Sequence, residues 1–351
     1  MRAGRRAFAR PALAGLTAVF WPGWVWGAER RRPKPADARA QTDERPANLS
    51  PDALAFVDAF CERHGAARSE IADILSAARV QPTIVRAMSV PSTSRPWYQY
   101  APVYLNAERI AGGVRFWGQH AAVLAQAAER FAMDEAHIVA TIGVETQYGR
   151  VTGTFRVLDA LYTLAFEYPR RAAFFREELE QFLLLVREGQ LDWRTVRGSY
   201  AGAMGIPQFL PSSLKRYGVD FDEDGRIDFW RSPADAVGSV ANYYRAFGWQ
   251  NGQPVVMRAA VAGDGYRALV DAGIKPHLPA DALARHGVAA AGALPADVQV
   301  ALIELQAEDG PEHWIVLDNF YVITRYNRST HYAMSLHRLA EAIRTARTRG
   351  A

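Results

Sequence analysis

An apolar helix that carries a carboxylate constrains this chain more than any other feature. Residues 138–149 read IVATIGVETQYG, which is typical of a buried helix that ends at Gly149. Ile138, Ile142 and Glu145 fall at positions i, i+4 and i+7, so they share one face of the predicted helix. The pattern therefore places Glu145 against the protein interior.

A buried Glu145 is a candidate for acid–base chemistry. Removal from water disfavours the charged form of a carboxyl group and raises its pKa. A carboxylic acid that keeps its proton near neutral pH can act as a general acid. The structural alternative is a glutamate paired with an arginine at the edge of the core, because such ion pairs also shift pKa values.

Composition indicates a globular protein with a charged amino terminus. The chain has 351 residues, enough for one large domain or two smaller ones, and 49% of them are hydrophobic. Residues 1–45 carry a net charge of +6, so the remaining residues carry −2 of the total of +4. Residues 46–351, with their slightly negative net charge, are unsuited to non-specific nucleic-acid binding, and no nucleic-acid partner is expected.

The amino terminus has the pattern of an export signal. A basic stretch that includes Arg5 and Arg6 precedes an apolar run from Ala12 to Trp26, so residues 1–28 are predicted to be a signal peptide or an uncleaved membrane anchor. This predicts a periplasmic protein, with membrane attachment left open. No cysteine stands directly after the apolar run to carry a lipid. The single cysteine, Cys61, lies in an apolar helical pattern and is interpreted as a core residue.

The rest of the chain predicts a mainly α (α+β) protein. Residues 29–49 are polar and proline-rich and are interpreted as a disordered linker, and order is expected from Ser50, a capping residue before Pro51. Helices are predicted to about residue 90 and over 104–130, 156–167, 170–187, 233–247 and 332–347. Residues 251–322 are predicted to form a small β-containing lobe with strands near 255–257, 300–305 and 314–317.

Residues 220–228 match the first nine positions of a calcium loop. Alternating carboxylates can converge on one cation, a glycine permits the sharp turn, and Arg226 offers its backbone carbonyl. Arg231 stands where such a loop has its closing glutamate, and Asp235 is the expected substitute. The predicted ligands of this structural calcium are Asp220, Asp222, Asp224, Arg226, Asp228 and Asp235. The alternative is an acidic surface turn, and no organic cofactor is predicted.

Two further segments have the composition of a sugar-binding cleft. Residues 198–212 combine glycines and prolines with Ser199 and Gln208, so the backbone can approach a ligand closely and two polar side chains can bond it. Residues 318–332 are dense in aromatic and amide side chains, and tyrosine offers an apolar face and a polar tip to a sugar ring. Tight helix packing for the first segment and core packing for the tyrosines are the structural alternatives.

These segments together resemble the bacterial lytic murein transglycosylases of the B type (glycoside hydrolase family 103). The matching segments are GVETQYG at 143–149, YPRRAAFF at 168–175, residues 198–213, the acidic loop running into 232–243, and ITRYN at 323–327. They occur in a consistent order over roughly residues 50–348. The resemblance implies a lysozyme-like helical core, an additional helical lobe and a small β lobe, with residues 50–250 forming the helical lobe and core and residues 323–351 returning to the core.

The resemblance also implies a reaction and a set of site residues. The enzyme would cleave the β-1,4 bond between N-acetylmuramic acid (MurNAc) and N-acetylglucosamine (GlcNAc) in peptidoglycan and leave a 1,6-anhydroMurNAc end. Glu145 would be the single acid/base. The implied substrate-binding residues are Tyr100, Arg170, Arg171, Ser199, Gln208, Tyr243, Tyr326, Asn327 and Tyr332. The implied partners are peptidoglycan glycan strands, with other cell-wall enzymes as further candidates.

One carboxylate is chemically sufficient for such a reaction. Ordinary glycosidases use two carboxylates, because the second serves as nucleophile or activates a water molecule. A C6 hydroxyl within the substrate has a high effective concentration and needs no second carboxylate to deliver it. A hydrolytic muramidase and a non-catalytic peptidoglycan-binding scaffold remain as alternatives.

Overall fold

The computed structural model describes residues 45–46, 49–89, 95–295 and 297–350. The predicted signal or anchor, most of the predicted linker and part of the proline-rich turn at 91–96 lie outside these residues. Within the predicted linker, Arg45–Pro46 pair with Arg79–Val80 in a short antiparallel ladder, and Leu49 packs on the core. These last linker residues are therefore ordered, unlike the disordered segment expected there.

The described residues form a mainly helical chain with two short two-stranded ladders and one five-stranded sheet. In chain order the elements are β1 (Arg45–Pro46), α1 (Pro51–His64), α2 (Arg68–Ser76), β2 (Arg79–Val80), α3 (Pro82–Ser89), α4 (Trp97–Tyr104), α5 (Ala107–Gln119), α6 (Ala121–Phe131), α7 (Glu135–Thr146), β3 (Phe155–Arg156), α8 (Val157–Glu167), α9 (Ala172–Arg187), β4 (Arg197–Gly198), α10 (Pro211–Tyr217), α11 (Pro233–Ala246), β5 (Val256–Val261), α12 (Arg267–Asp271), β6 (Leu278–Pro279), β7 (Val288–Ala290), β8 (Gln299–Ala307), β9 (Gly310–Val316), α13 (Asp318–Tyr326) and α14 (Thr330–Gly350). The mainly α prediction is confirmed.

Two hydrophobic cores organise the helices. One core surrounds α7, which contacts α5, α6, α11 and α14. The other core joins α1, α2 and α3 to α8 and α9 and forms the additional helical lobe. The lobe begins as predicted, because Ser50 accepts the main-chain N–H of Ala53 at 3.2 Å and Pro51 occupies the first helical position.

The sheet is a five-stranded antiparallel layer in the order β6-β8-β9-β5-β7. Its central hairpin pairs Ala301 with Val316 and closes at Ala307 and Gly310. A third, smaller core lies on this sheet, and one of its members is Ile315. The strands span 256–316, and α13 then crosses the predicted lobe boundary at 322, so the division at 250 and 322 stays a prediction.

The prediction of one helix over 104–130 is wrong. Tyr104 ends α4, Asn106 caps α5 by accepting the N–H of Arg109 at 2.9 Å, and His120 breaks the helix with non-helical φ and ψ of −119° and 26°. The apolar stripe continues in phase across His120, so the hydrophobic pattern carries no sign of this break.

The helix that carries Glu145 also ends earlier than predicted. It stops at Thr146, because Gln147 and Tyr148 adopt left-handed φ values of 52° and 64° before Gly149. The Tyr148 ring then turns back against α5 and α7, where a Cβ on Gly112 or Gly143 would meet it at 2.6 Å. None of the described helices is long and apolar enough to cross a membrane.

Candidate active site

Glu145 lies in the last turn of α7, where a buried helix reaches the edge of the core. The side chains from Ala136 to Val144 are buried all round the helix, whereas Glu145 is half-buried. Asp134 caps the other end of α7 by accepting the main-chain N–H of His137 at 3.2 Å. The carboxyl group is therefore held by a rigid element and keeps limited access to solvent.

Tyr332 is the direct hydrogen-bond partner of Glu145. Its hydroxyl donates to Glu145 Oε1 at 2.5 Å from the first turn of α14, and the tyrosine is only 1% exposed. Burial raises the pKa of Glu145 from 4.5 to about 7, while the Tyr332 bond and the charge of Arg109 limit the rise. Near neutral pH this group can consequently both give and take a proton.

A cluster of tyrosines surrounds the carboxyl group. Burial raises the pKa of Tyr100 to about 12, and the negative charge of Glu145 adds to this rise. The same two causes act on Tyr104, Tyr243, Tyr244, Tyr326 and Tyr332. These hydroxyl groups therefore stay protonated and remain hydrogen-bond donors across the physiological pH range.

Two of the predicted cleft tyrosines hold the backbone of neighbouring segments. Tyr326 donates to the carbonyl of Pro207 at 2.5 Å, and Tyr243 donates to the carbonyl of Arg325 at 2.6 Å. Their rings contact each other with centroids 4.8 Å apart. The charge of Glu145 acts on both hydroxyl groups, while the contact of these tyrosines with a substrate stays a prediction.

The loop of residues 198–212 is tied to α7 and to the end of α13. Thr146 Oγ1 donates to the carbonyl of Ile206 at 3.0 Å, which fixes the loop against the residue after Glu145. Gly205 has a φ of +63°, and a Cβ there would lie 2.4 Å from Phe229 Cβ, so only glycine fits this position. The close approach at Gly205 is thus made to Phe229 of the protein itself, as in the alternative of tight packing, and the approach of this backbone to a ligand stays a prediction.

Ser199 is fully buried and organises its own loop. Its Oγ accepts the main-chain N–H groups of Ala201 at 3.3 Å and Ala203 at 3.0 Å. The hydroxyl proton of Ser199 remains as a donor for a hydrogen bond to a ligand. Its predicted role in holding the muramoyl residue stays a prediction.

Gln208 and Asn327 each present a buried oxygen that has no partner among the described residues. The amide nitrogen of Gln208 donates to the carbonyls of Gly205 at 2.8 Å and Thr152 at 3.0 Å, which leaves its Oε1 unpaired. Asn327 is 3% exposed and its Oδ1 is unpaired. Buried acceptors are normally satisfied, so these two oxygens are candidates for bonding a ligand.

Arg170 and Arg171 lie on the 3₁₀ turn Pro169–Arg171, between α8 and α9. Arg170 is exposed, whereas the guanidinium group of Arg171 stacks 4.3 Å from the Phe174 ring centroid. Burial lowers the pKa of Arg171. Both arginines therefore belong to the additional helical lobe, and their role in substrate binding stays a prediction.

Three of the predicted metal ligands converge. Carboxylate oxygens of Asp220, Asp222 and Asp235 all lie within 4.8 Å of one another. Asp235 is fully buried in the first turn of α11, and burial followed by the charge of Asp222 raises its pKa. Oxygen donors in this arrangement suit a hard cation such as calcium.

The other predicted ligands bond to the loop itself. Asp224 Oδ1 accepts the N–H of Arg226 at 2.9 Å, and Asp228 Oδ1 accepts the N–H groups of Trp230 and Arg231. These carboxylates give the loop its turns and lie outside the group of three. The expected replacement of the closing glutamate by Asp235 agrees with the geometry, because Asp235 is a member of that group.

Several residues near Glu145 escaped the sequence analysis. Tyr104, Tyr148 and Tyr244 are buried or half-buried around α7, and the Tyr244 hydroxyl bonds the Thr141 hydroxyl at 2.9 Å. Arg109 is 6% exposed and donates to the carbonyls of Gly143 and Val144. Arg109 directly follows the charged residue Glu108, as is typical of a solvated helix face, so no local signal marks it.

Comparison with known proteins gives consistent matches over most of the chain. The family described as "Transglycosylase SLT domain" matches residues 50–341. A relative, the membrane-bound lytic murein transglycosylase B of Escherichia coli K12, is 42% identical over 308 residues, which cover 85% of this chain and 84% of that protein.

Solved structures of lytic transglycosylases share the fold. The chain is similar to catenated SltB1 from Pseudomonas aeruginosa, with a TM-score of 0.81 and 43% identity over 85% of this chain and 98% of that one. It is similar to Escherichia coli Slt35 in complex with calcium, with a TM-score of 0.78 and 39% identity over 88% of this chain and 98% of that one. It is also similar to P. aeruginosa SltB3 in complex with NAG-anhNAM-pentapeptide, with a TM-score of 0.73 and 33% identity over 82% of this chain and 78% of that one.

Proposed function

The chain belongs to the transglycosylase SLT domain family and is a lytic transglycosylase that acts on murein, and we propose that Glu145 is its single acid/base. The proposed reaction breaks the β-1,4 bond between MurNAc and GlcNAc and leaves a 1,6-anhydroMurNAc end. The observation that carries this proposal is the buried carboxyl group bonded to Tyr332, with a pKa raised to about 7.

In the first step, protonated Glu145 gives its proton to the oxygen that links the two sugars. A pKa of about 7 leaves a large protonated fraction at neutral pH, which an exposed glutamate would lack. The bond from C1 of the muramoyl sugar to that oxygen breaks, and positive charge develops at C1. The N-acetyl group of the substrate can stabilise that charge.

In the second step, the carboxylate of Glu145 takes the proton of the C6 hydroxyl while that oxygen attacks C1. Tyr332 stabilises the carboxylate between the two steps, because its hydroxyl can only donate to it. The groups that shift the pKa of Glu145 are Tyr332 and Arg109, and no carboxylate of the described residues is among them. This supports an intramolecular nucleophile over a water molecule activated by a second carboxylate.

Gln208, Asn327 and Ser199 are proposed to bind the sugar beside Glu145. The unpaired oxygens Oε1 of Gln208 and Oδ1 of Asn327 can accept sugar hydroxyl or amide protons, and Ser199 retains a hydroxyl proton to donate. Tyr100, beside Glu145, and the arginines Arg170 and Arg171 are also proposed to line the cleft. The complex of SltB3 with NAG-anhNAM-pentapeptide supports a glycan strand as the ligand.

Product analysis tests the proposal. Purified murein is digested with the wild type, with Glu145→Gln and with the matched exposed control Glu108→Gln, and fragments are identified by mass spectrometry. The wild type and the control should release anhydro-ended muropeptides, and Glu145→Gln should release none. Fragments heavier by one water would indicate a hydrolytic muramidase, and anhydro fragments from Glu145→Gln at the wild-type rate would refute the assigned role.

A structural calcium ion is proposed between Asp220, Asp222 and Asp235. The convergence of these carboxylates supports it, because three acidic groups this close repel one another unless a cation neutralises them. Slt35 was solved in complex with calcium, which supports the choice of ion. Arg226 would contribute its backbone carbonyl, and the ion would fix the loop that leads into α11.

A periplasmic location is proposed from the substrate and the amino-terminal sequence. Murein is the substrate, and the E. coli relative is membrane-bound. The predicted signal or anchor at 1–28 lies outside the described residues. Cell fractionation decides between a cleaved signal, which gives a protein in the periplasmic extract, and an anchor, which gives a protein in the membrane pellet.

A further inference from the structure

Arg109 is a buried cation without a carboxylate partner. It is 6% exposed, and none of the ion pairs among the described residues involves it. The adjacent Glu108 pairs with Arg150 instead, at 3.0 Å. Burying an arginine costs desolvation free energy, which its other contacts must offset. Those contacts therefore indicate the role of Arg109.

The contacts of Arg109 are directed at the carboxyl end of the catalytic helix. Its Nη1 donates to the carbonyl of Gly143 and, at 3.5 Å, to the carbonyl of Val144, the residue before Glu145. The guanidinium group also lies 5.2 Å from the ring centroid of Tyr104. A helix ends in carbonyl groups with partial negative charge, which disfavours a carboxylate in the same turn. Arg109 offsets that negative end.

The backbone of Arg109 is held in place from two sides. Asn106 Oδ1 accepts its N–H at 2.9 Å, and Tyr148, which follows the catalytic helix, donates its hydroxyl to its carbonyl at 2.6 Å. The Tyr148 ring fits against Gly112 and Gly143, where any side chain would collide with it. Arg109 therefore holds the start of α5 against the end of α7, through its own side chain and through the bond from Tyr148.

From this geometry, and resting on the proposed role of Glu145, we infer that Arg109 is a positioning residue. It fixes the last turn of α7 and supplies the buried positive charge that allows Glu145 to ionise between the two proton transfers. Apart from Arg109, the groups that face Glu145 from the surrounding helices are tyrosine hydroxyls, which carry no charge, and this supports the assignment. These are Tyr100 and Tyr104 on α4, Tyr243 and Tyr244 on α11, Tyr326 on α13 and Tyr332 on α14.

A titration of Glu145 in the full chain tests the inference directly. The carboxyl carbon of Glu145 is followed by NMR in protein labelled at glutamate, and Glu145→Gln identifies its signal. Arg109→Gln keeps a hydrogen-bond donor but loses the charge, so the Glu145 midpoint should rise by about one pH unit. Arg109→Lys keeps the charge and should restore the wild-type midpoint. The exposed control Arg150→Gln should leave the midpoint unchanged.

The pH profile of product release gives the second readout. The alkaline limb of kcat/KM should move upward with the Glu145 midpoint in Arg109→Gln and return in Arg109→Lys. Loss of turnover in Arg109→Gln with an unmoved midpoint and limb would show a merely structural role and overturn the inference. Persistent anhydro products from Glu145→Gln would instead overturn the proposed function, so the two failures are distinguishable.

A measurement at Arg109 itself covers the case in which Arg109→Gln does not fold. In wild-type protein labelled with ¹⁵N-arginine, the Arg109 Nε–H signal should shift with the midpoint of Glu145 as the pH rises. This step should be absent in Glu145→Gln. An Arg109 signal that shows the same pH dependence in both proteins would contradict the inference.

Discussion

Replacing Glu145 by glutamine should stabilise the folded protein while it removes activity. The pKa of Glu145 is about 7 in the folded protein against an ordinary value of 4.5. The folded state thus keeps a proton that the unfolded chain releases between these pH values. Stability that depends on Glu145 is fully present below pH 4.5 and is lost as the pH rises to 7.

The magnitude follows from the size of the pKa difference. Each pKa unit corresponds to about 1.4 kcal/mol, so the ionised Glu145 destabilises the folded protein by about 3 kcal/mol above pH 7. Glutamine has the same shape, does not ionise, and offers Tyr332 an oxygen to bond. The stability advantage of Glu145→Gln should therefore grow from near zero at pH 4.5 to about 3 kcal/mol at pH 8.

Thermal unfolding at several pH values measures this advantage. The melting temperature of Glu145→Gln should match the wild type at pH 4.5 and exceed it at pH 8 by on the order of 5 °C. Glu108→Gln is the matched control, because its side chain is 72% exposed and should give no pH-dependent gain. A difference that is the same at both pH values, or a Glu145→Gln protein that is less stable at pH 8, would refute the reasoning.

Three further predictions concern Tyr332, the acidic loop that ends at Asp235, and Gly205. Tyr332→Phe removes a hydrogen bond to the charged form of Glu145. The alkaline limb of the kcat/KM profile should therefore shift to higher pH by about one unit. Asp235→Asn should abolish the melting-temperature gain on adding calcium, whereas Arg231→Glu should leave it in place, since Asp235 and not position 231 belongs to the converging group. Gly205→Ala should lower the melting temperature and activity together, because its Cβ would collide with Phe229.

Each of these has a contradicting result. An unmoved alkaline limb in Tyr332→Phe would show that the hydroxyl does not favour the ionised state. A calcium response that survives Asp235→Asn, or equal melting temperatures with chelator and with calcium in the wild type, would argue against the proposed ion site. A Gly205→Ala protein with unchanged melting temperature would show that the loop has room for the methyl group.

Local patterns were sufficient to predict the main features of the fold. The capped start of α1, the helices α8, α9 and α11, and the strands around 256, 300 and 314 follow from capping residues and hydrophobic periodicity. Glu145 could be recognised because a carboxylate within a run of apolar residues departs from the pattern. Composition and spacing were likewise sufficient to find the acidic loop.

The features that escaped prediction depend on tertiary contacts. The break at His120 leaves the apolar stripe in phase, and the early end of α7 depends on the Tyr148 ring meeting glycines of α5 and α7. Arg109 looks like a solvated residue until α5 is placed beside the end of α7. Which of the acidic residues converge also depends on how Asp235 is buried against the loop.

Isotope incorporation tests the proposed mechanism most directly. Murein is digested by the wild type in water enriched in ¹⁸O, and the muramoyl ends are analysed by mass spectrometry at early times. Attack by the C6 hydroxyl with Glu145 as acid and base predicts anhydro ends without ¹⁸O in the wild type and no fragments from Glu145→Gln. Muramoyl ends that carry ¹⁸O from the first turnover, or unlabelled anhydro ends formed at full rate by Glu145→Gln, would contradict it.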